Sequence, residues 1–407
     1  MLWAKAGVLN DEPLLNACLH DERHDRECEG PRAKWLWELI DATGAKFRFR
    51  AALLNELRQL PDESSAFQLC DLALLYAVEG DRDFRGGLYE IVEQMPVPSS
   101  PQLGESEILQ LDGESGVEFI AAVRGRRLHQ REWQLEDGFF ASEAADLIGE
   151  ERFLQVLMST GDQDLKRFRD TWQAIIEGPP SQNPAYEGPR ETKLSHVSDV
   201  LAAARSEAAN FSRFRGWGTR ASDEELRQVL NALWAAHQSS EIISLLKVFS
   251  NRAMPEFDER ILELTRHPDR WVRHWTFNAL RMISHPRIRE AALEQASLGI
   301  RDRYAACLFI RNYEPGDEEI ILRSMEMPED GNQLHWLLSE LIDVLKLNPE
   351  ADPSRLAIVI YSRTPCENCR LEALRLLLQK NAVPDWMAQE SRFDSNPDCR
   401  ALLSQGS

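Results

Sequence analysis

The chain of 407 residues has little positive charge and lacks long apolar segments. Lys and Arg total 47 against 67 Asp and Glu, which gives a formal net charge of −20 and disfavours a non-specific nucleic-acid-binding protein. The longest apolar runs, residues 72–78 and 356–361, are far too short to span a bilayer. The seven cysteines are scattered and odd in number, so they do not indicate a disulfide framework. We therefore expect a protein of the reducing cytoplasm that does not enter a membrane.

Sequence motifs for catalysis are also missing. The chain contains no G-x-S-x-G nucleophile motif, no H-E-x-x-H zinc motif, no P-loop and no dinucleotide fingerprint. The alternation that is typical of strands is scarce: residues 117–123 have some strand character but fit a helix equally well. Apolar residues instead recur at i, i+3, i+4 and i+7 almost throughout, which indicates amphipathic helices. The sequence predicts an all-α protein that is not an enzyme and carries no cofactor.

The helices are expected to form two regions joined by a linker. Residues 178–195 hold four prolines and have no apolar periodicity, which is typical of an extended loop. This linker separates an N-terminal helical region, residues 1–177, from a C-terminal array, residues 196–407. In the array a helix-pair unit returns about every 30 residues, and such a period predicts stacked hairpins that bury their apolar faces against each other. The short, polar last unit, residues 384–405, resembles an end cap.

Two local patterns in the array predict backbone features. Ser222 and Glu225 have the spacing of a capping box, in which each side chain accepts a hydrogen bond from the backbone of the other residue. Gly216 and Gly218 flank a tryptophan in a basic aromatic turn. We interpret these glycines as residues that permit a positive φ at a hairpin corner, rather than as a phosphate-binding loop.

The repeated unit is clearest where Asp269 precedes a Val-Arg dipeptide that ends at Arg273. One unit, residues 318–345, has Gln333-Leu334 in place of this Val-Arg pair. The pattern over residues 222–405 resembles HEAT repeats, including the related repeats of phycobilin-lyase-type proteins. The resemblance implies a right-handed α-solenoid, but it implies no particular activity. It also assigns a structural ladder between successive turns to Asp269, Arg273, Arg370 and Arg400.

A basic island interrupts the acidic chain, because residues 266–289 hold six Arg against one Asp. Helical spacing places a polar and aromatic face of this island opposite its apolar face. The following unit extends the polar and aromatic face. In a HEAT-like array this face is concave, so we expect it to bind a protein partner. The alternative is that it is an ordinary solvated face whose arginines pair with nearby Glu side chains. The candidate binding residues, which we call the Trp271 strip, are Trp271, His274, Asn278, Arg281, Arg301 and Tyr304.

Other functions are conceivable for the same strip. It is similar to the groove of HEAT-like DNA alkylation-repair glycosylases, which pair tryptophan with a catalytic aspartate. Here the nearest such pair is Trp37 with Asp41, more than 200 residues upstream. A nucleic-acid-acting enzyme is thus the alternative function, and it requires a carboxylate that faces the strip. A bilin-lyase-like carrier would need an open pocket, and an inhibitor of a basic toxin or nuclease would rest on charge alone.

Two cysteine- or histidine-bearing segments are candidate metal sites, although we predict no metal. Cys366 and Cys369 have a spacing that suits zinc or redox chemistry, and Cys399 follows one repeat later. An ordinary turn with Cys369 in an apolar position is the alternative. Residues 17–35 carry many acidic side chains together with His24. This segment could bind a cation or a basic partner, and a solvated loop is the alternative.

Overall fold

The computed structural model describes residues 11–25, 28–59, 63–94, 103–130, 138–159, 161–177, 194–206 and 211–404. Within these ranges the chain forms 24 helices and no strand beyond one isolated parallel bridge between Ile300 and Met325. The all-α prediction is therefore confirmed for the described residues. Residues 117–123, which had some strand character, lie inside a helix. In the described part, no helix is long and apolar enough to cross a membrane.

The chain divides into two compact units. The N-terminal unit comprises Met1–Glu22 and Gly30–Pro189, and the C-terminal unit comprises Arg23–Glu29 and Arg190–Ser407. The boundary at residue 189 falls within the expected linker, of which residues 178–193 lie outside the described residues. Nothing in the sequence indicated that a short segment near the N-terminus belongs to the C-terminal unit. We call this segment, Arg23–Glu29, the 23–29 segment.

The N-terminal unit consists of ten helices among its described residues. They are α1 (Asp11–Leu19), α2 (Ala33–Thr43), α3 (Lys46–Arg58), α4 (Glu63–Val78), α5 (Arg82–Gln94), α6 (Glu105–Asp112), α7 (Glu114–Gln130), α8 (Phe139–Ile148), α9 (Glu150–Ser159) and α10 (Gln163–Glu177).

The core of the N-terminal unit is mainly aliphatic and also contains aromatic rings and a buried ion pair. Phe140 contacts neighbouring phenylalanine rings at centroid distances of 5.5 and 6.2 Å. Arg124 of α7 donates two hydrogen bonds, of 3.0 and 2.7 Å, to the carboxylate of Glu105. Helices α7 and α10 approach closely at Gly125, where a Cβ atom would lie 1.7 Å from the carbonyl oxygen of Asp164. A larger residue at position 125 would force these two helices apart.

The C-terminal unit has fourteen helices among its described residues. They are α11 (Val197–Ala204), α12 (Phe211–Gly218), α13 (Asp223–Ala235), α14 (Ser239–Lys247), α15 (Arg260–Leu264), α16 (Arg270–Leu280), α17 (Pro286–Leu298), α18 (Arg303–Cys307), α19 (Asp317–Ser324), α20 (Gly331–Leu347), α21 (Pro353–Arg363), α22 (Glu367–Gln379), α23 (Asp385–Ser391) and α24 (Pro397–Ser404).

Helices of the C-terminal unit pack in two rows, because each contacts the next-but-one helix along the chain. One row runs α14, α16, α18, α20, α22 and α24, and the second runs α17, α19 and α21. The rows enclose one continuous apolar core. The backbone of Ile300 also bonds to that of Ser324 and Glu326, at 2.8 and 2.9 Å, which joins the turn after α17 to the turn after α19.

The two local predictions for this unit have different outcomes. The capping box at the start of α13 is confirmed, because the Ser222 hydroxyl and the Glu225 carboxylate each accept a hydrogen bond from the other residue's backbone N–H. The interpretation of the glycines around Trp217 is wrong, because neither adopts a positive φ. Gly218 instead allows a close approach, since a Cβ atom there would lie 2.0 Å from the carbonyl oxygen of Val248.

Candidate functional site

The Trp271 strip is built on α16. Asp269 caps this helix, because its carboxylate accepts a 2.8 Å hydrogen bond from the backbone N–H of Trp271. Val272, Ala279 and Leu280 are fully buried in the core, so the opposite face of the helix carries the strip. Trp271, in the first turn, keeps 49% of its surface exposed. The strip therefore offers an aromatic side chain to solvent from a helix that is firmly anchored beneath it.

His274 links α16 to α18 through a hydrogen-bonded cluster. The Asn278 amide donates to the His274 carbonyl at 2.8 Å, and its nitrogen lies 3.2 Å from His274 Nε2. Because this amide nitrogen can only donate, Nε2 accepts and Nδ1 is left to donate to the Tyr304 hydroxyl, 3.0 Å away. The Trp271 ring meets the imidazole edge-on at 5.5 Å. The structure thus brings together four of the six predicted strip residues.

The imidazole of His274 is held in its neutral form. Burial lowers the pKa of His274 to about 4, and the nearby Arg303 guanidinium adds to this effect. A neutral ring suits the hydrogen-bond pattern, because protonated histidine has no acceptor for the Asn278 amide. At neutral pH this part of the strip is therefore aromatic and polar but uncharged.

The two strip arginines are both paired with carboxylates. Arg281 bonds to Asp343 and lies 3.4 Å from the Glu340 carboxylate. Arg301 forms a two-pronged pair with Glu326, at 2.8 and 3.0 Å, at the exposed edge of the strip. The count of six Arg against one Asp in the basic island did not show this pairing for Arg281, because its carboxylate partners lie on α20.

Glu340 is the centre of the paired network. Only 3% of this residue is exposed, and its carboxylate accepts a 2.5 Å hydrogen bond from Arg303 in addition to its contact with Arg281. Burial raises the pKa of Glu340, and the two arginines oppose that rise. A carboxylate does therefore lie beside the Trp271 strip, but it is engaged by two guanidiniums. We call Arg281, Arg303, Glu340 and Asp343 the arginine–carboxylate network.

Two of the residues expected to form a ladder, Arg273 and Arg400, contact the backbone just before their own helices. Arg273 donates to the backbone carbonyls of His267 and Pro268, at 2.7 and 2.9 Å. Arg400 makes the same contacts with the carbonyls five and six residues before it. Both arginines therefore brace the turn that precedes their own helix. Asp269 caps its own helix, and its carboxylate also interacts with the side chain of Ser239 at the start of α14, in the preceding unit.

Arg370 pairs with an aspartate on the following unit. Its guanidinium donates to both carboxylate oxygens of Asp394, at 2.9 and 3.1 Å. Asp394 in turn accepts from the backbone N–H of Asn396 just before α24. This pair joins the last two units of the array through a buried, charged contact.

A second group of chemically active side chains lies where α20 meets α22. One ligand atom from each of His335, Cys366 and Cys369 lies within 4.8 Å of the others. The Cys369 sulfur is 3.7 Å from His335 Nδ1, and the two cysteines are only 3% and 6% exposed. We call these three residues the thiol–imidazole cluster.

The pKa values of the two thiols of this cluster are shifted in opposite directions. The pKa of Cys366 is lowered mainly because the Cys369 thiol donates to its sulfur, with a further contribution from His335, while burial opposes the shift. The same interaction and burial raise the pKa of Cys369. Cys366 is also the residue that caps α22, where backbone N–H groups favour a thiolate. The interaction between the two sulfurs therefore favours deprotonation of Cys366 over deprotonation of Cys369.

The 23–29 segment adjoins the thiol–imidazole cluster. The ring of His24 lies 4.3 Å from the ring of His335, centroid to centroid. The Asn368 side chain, in the first turn of α22, donates a 3.0 Å hydrogen bond to the backbone carbonyl of Cys28. This contact joins residues 340 positions apart and fixes the segment at the start of the helix.

The sequence pattern indicated two of the three residues of this cluster, Cys366 and Cys369. The CxxC spacing predicted the pair of cysteines. Cys399, the third cysteine considered with them, is instead fully buried near Asp394 and Arg370. His335 comes from the unit that lacks the Val-Arg pair and directly follows Gln333-Leu334. That departure from the repeat was the one available signal for this histidine.

Comparison of the chain with known proteins adds no identification: no family model, no curated protein and no solved structure matches it.

Proposed function

We propose that this protein is a non-enzymatic interaction module of the cytoplasm, a HEAT-like α-solenoid whose Trp271 strip binds a protein partner. Two rows of helices with next-but-one contacts support a stacked-hairpin architecture. Such an architecture presents side chains at fixed spacing, so a partner segment binds with little loss of conformational freedom in the array.

The observation that carries the proposal is the group formed by Trp271, His274 and Tyr304. Exposed aromatic side chains dominate the energetics of protein interfaces because they bury a large area at low entropic cost. Trp271 is half exposed, and the hydrogen bond between His274 and Tyr304 fixes the rings beside it. The group is thus preorganised to receive an apolar or aromatic side chain of a partner.

Charge pairing favours a protein over nucleic acid as the partner. Phosphate binding draws on guanidiniums that are available to neutralise the backbone. In the strip, Arg281 and Arg301 each already face a carboxylate. The alternative function, a nucleic-acid-acting enzyme, would use Glu340 or Asp343 as its carboxylate, and both are engaged by Arg281.

The experiment compares two tryptophan variants of the full-length chain. Trp271→Ala removes the exposed ring of the strip, and Trp386→Ala is a matched control because Trp386 is 46% exposed on α23, in the last unit. A partner is first captured from the native cytoplasm, and its affinity for each purified variant is then measured by titration calorimetry. We expect Trp271→Ala to weaken binding by about 30-fold, as for an interface hot spot, and Trp386→Ala to leave it within about three-fold.

Either of two results would contradict the proposal. Equal loss of binding in both variants would show that the strip does not determine recognition. Capture of nucleic acid by the wild type, and its loss in Trp271→Ala, would favour the enzyme alternative. The variant Arg281→Glu is unsuitable as a probe, because it would place a third carboxylate against Glu340 and Asp343.

A further inference from the structure

We propose that Cys366, Cys369, His335 and His24 form a binding site for a divalent transition metal of the zinc class. The proposal is independent of the Trp271 strip. It rests on the convergence of two sulfurs and a ring nitrogen from α20 and α22 and on a second imidazole supplied by the 23–29 segment.

The geometry of the thiol–imidazole cluster suits tetrahedral zinc. With zinc–sulfur and zinc–nitrogen bonds of about 2.3 and 2.1 Å, a tetrahedral angle places sulfur and nitrogen ligands about 3.6 Å apart. The Cys369 sulfur and His335 Nδ1 are 3.7 Å apart. Two sulfurs with one or two imidazoles form a donor set that selects zinc over the hard cations magnesium and calcium. The three ligands therefore already lie near the separations that a zinc ion requires.

His24 is the candidate for the fourth ligand. Its ring lies against that of His335, at 4.3 Å between centroids, and the Asn368–Cys28 hydrogen bond holds its segment at the start of α22. Four protein ligands make a closed site of the structural kind. Bound metal would thus clip the 23–29 segment to a helix that lies more than 300 residues later in the chain.

A second candidate for the fourth ligand, a carboxylate, lies close by and provides the control variant for the experiment. Glu29, which is 3% exposed, is near enough to raise the pKa of Cys369. It belongs to the same segment as His24, so substitution of either residue perturbs the same local structure. The ring of His24 lies 4.3 Å from that of His335, at a tilt of 39°, which is why we assign the fourth position to His24.

Metal binding explains the cluster better than a redox function. A dithiol that exchanges with other proteins must be reached by an attacking thiolate, whereas both cysteines here are almost fully buried. A redox pair also does not require two imidazoles. On binding, the Cys369 thiol loses its proton to solvent, Cys366 binds as the thiolate and both imidazoles bind as neutral ligands. No oxidation or reduction takes place.

The test is a cobalt titration of the reduced, metal-stripped full-length protein. Tetrahedral Co²⁺ with sulfur ligands gives visible ligand-field bands and a near-ultraviolet sulfur-to-cobalt charge-transfer band. We expect one Co²⁺ per chain, displaced by one Zn²⁺, and no such bands in Cys366→Ser or Cys369→Ser. His24→Ala should weaken binding by at least about 10–100-fold, the effect of losing even an outer-shell partner. Glu29→Gln and Cys399→Ser should bind as the wild type does.

The outcomes that would overturn the proposal are equally definite. Reduced, folded wild-type protein that takes up no Co²⁺ or Zn²⁺ would refute the site, and so would a disulfide between Cys366 and Cys369 that forms in the presence of zinc. If Glu29→Gln loses the metal and His24→Ala does not, the assignment of the fourth ligand is wrong. Should a cysteine variant fail to fold by circular dichroism, the wild type alone decides: zinc must raise its melting temperature reversibly, and a chelator must lower it again.

Discussion

Two groups of side chains on the single helix α20 illustrate different uses of buried polar atoms. His335, near the start of the helix, faces two cysteines, and Glu340 and Asp343, one to two turns later, face arginines. In the arginine–carboxylate network, opposite charges satisfy one another within the chain. In the thiol–imidazole cluster, the groups that converge are all lone-pair donors of the kind that bind zinc. The first arrangement pairs opposite charges within the chain and leaves one carboxylate oxygen of Glu340 without a hydrogen bond, whereas the second is the site that we propose binds a cation.

The largest expected effect of breaking the arginine–carboxylate network comes from Glu340→Ala. Removal of this carboxylate leaves Arg303 and Arg281 partly buried beside a cavity. Loss of one partner of a buried ion pair costs about 3–5 kcal/mol. We expect the free energy of unfolding, measured by urea titration and circular dichroism, to fall by about this amount.

The matched control is Glu326→Ala, which removes a carboxylate from a solvent-exposed pair on the same face of the array. It should leave the urea midpoint unchanged within error, because exposed ion pairs are strongly screened. Equal destabilisation by both substitutions would mean that the buried arginine–carboxylate network is worth no more to stability than an exposed ion pair. The role assigned to Glu340 on α20 would then be wrong.

A smaller effect on the free energy of unfolding should come from the titration of His274, in the uncharged part of the strip. The pKa of His274 is about 4 in the folded protein, against about 6.5 in an unfolded chain. Between these values the unfolded state binds the proton and the folded state does not. The contribution of His274 is therefore fully present above pH 6.5 and is lost as the pH falls toward 4. Because the ring is partly exposed to solvent, we expect a total of about 1–3 kcal/mol.

The measurement compares the pH dependence of unfolding in the wild type and in His274→Gln. Glutamine keeps a donor and an acceptor near Asn278 and Tyr304 but does not titrate. All other titrating groups are common to the two proteins, so the difference between the curves reports on His274. Parallel curves from pH 4 to 7 would show that the imidazole titrates freely and that the uncharged character assigned to the strip is incorrect.

Local and periodic features of this fold could be predicted from the sequence. Helical spacing gave the all-α class, and the Ser222–Glu225 pair gave a cap that the structure confirms, because both depend on residues a few positions apart. The Trp271 strip likewise follows from one helix and its neighbour. His274 and Tyr304 meet because they are separated by a single repeat of 30 residues.

The remaining features depend on contacts between residues so distant in sequence that helical spacing does not predict them. Glu340 meets Arg303 across 37 residues, and Asn368 meets Cys28 across 340. The partner of a buried charge is set by which helices stack, and a short segment such as residues 23–29 can contact residues that are distant in sequence. For this reason the arginine–carboxylate network, and the position of His24 beside His335, emerged only from the structure.

The smallest expected effect is that of Arg301→Ala at the exposed edge of the strip. Arg301 and Glu326 remain 68% and 55% exposed although they bond at 2.8 Å, so water and salt compete with the pair. We expect no measurable change in the urea midpoint at physiological salt. A clear destabilisation would place Arg301 with the buried network and make it a structural residue. The expected result would instead mean that the chain does not need this pair for folding, and that a partner carboxylate is free to replace Glu326 on the guanidinium.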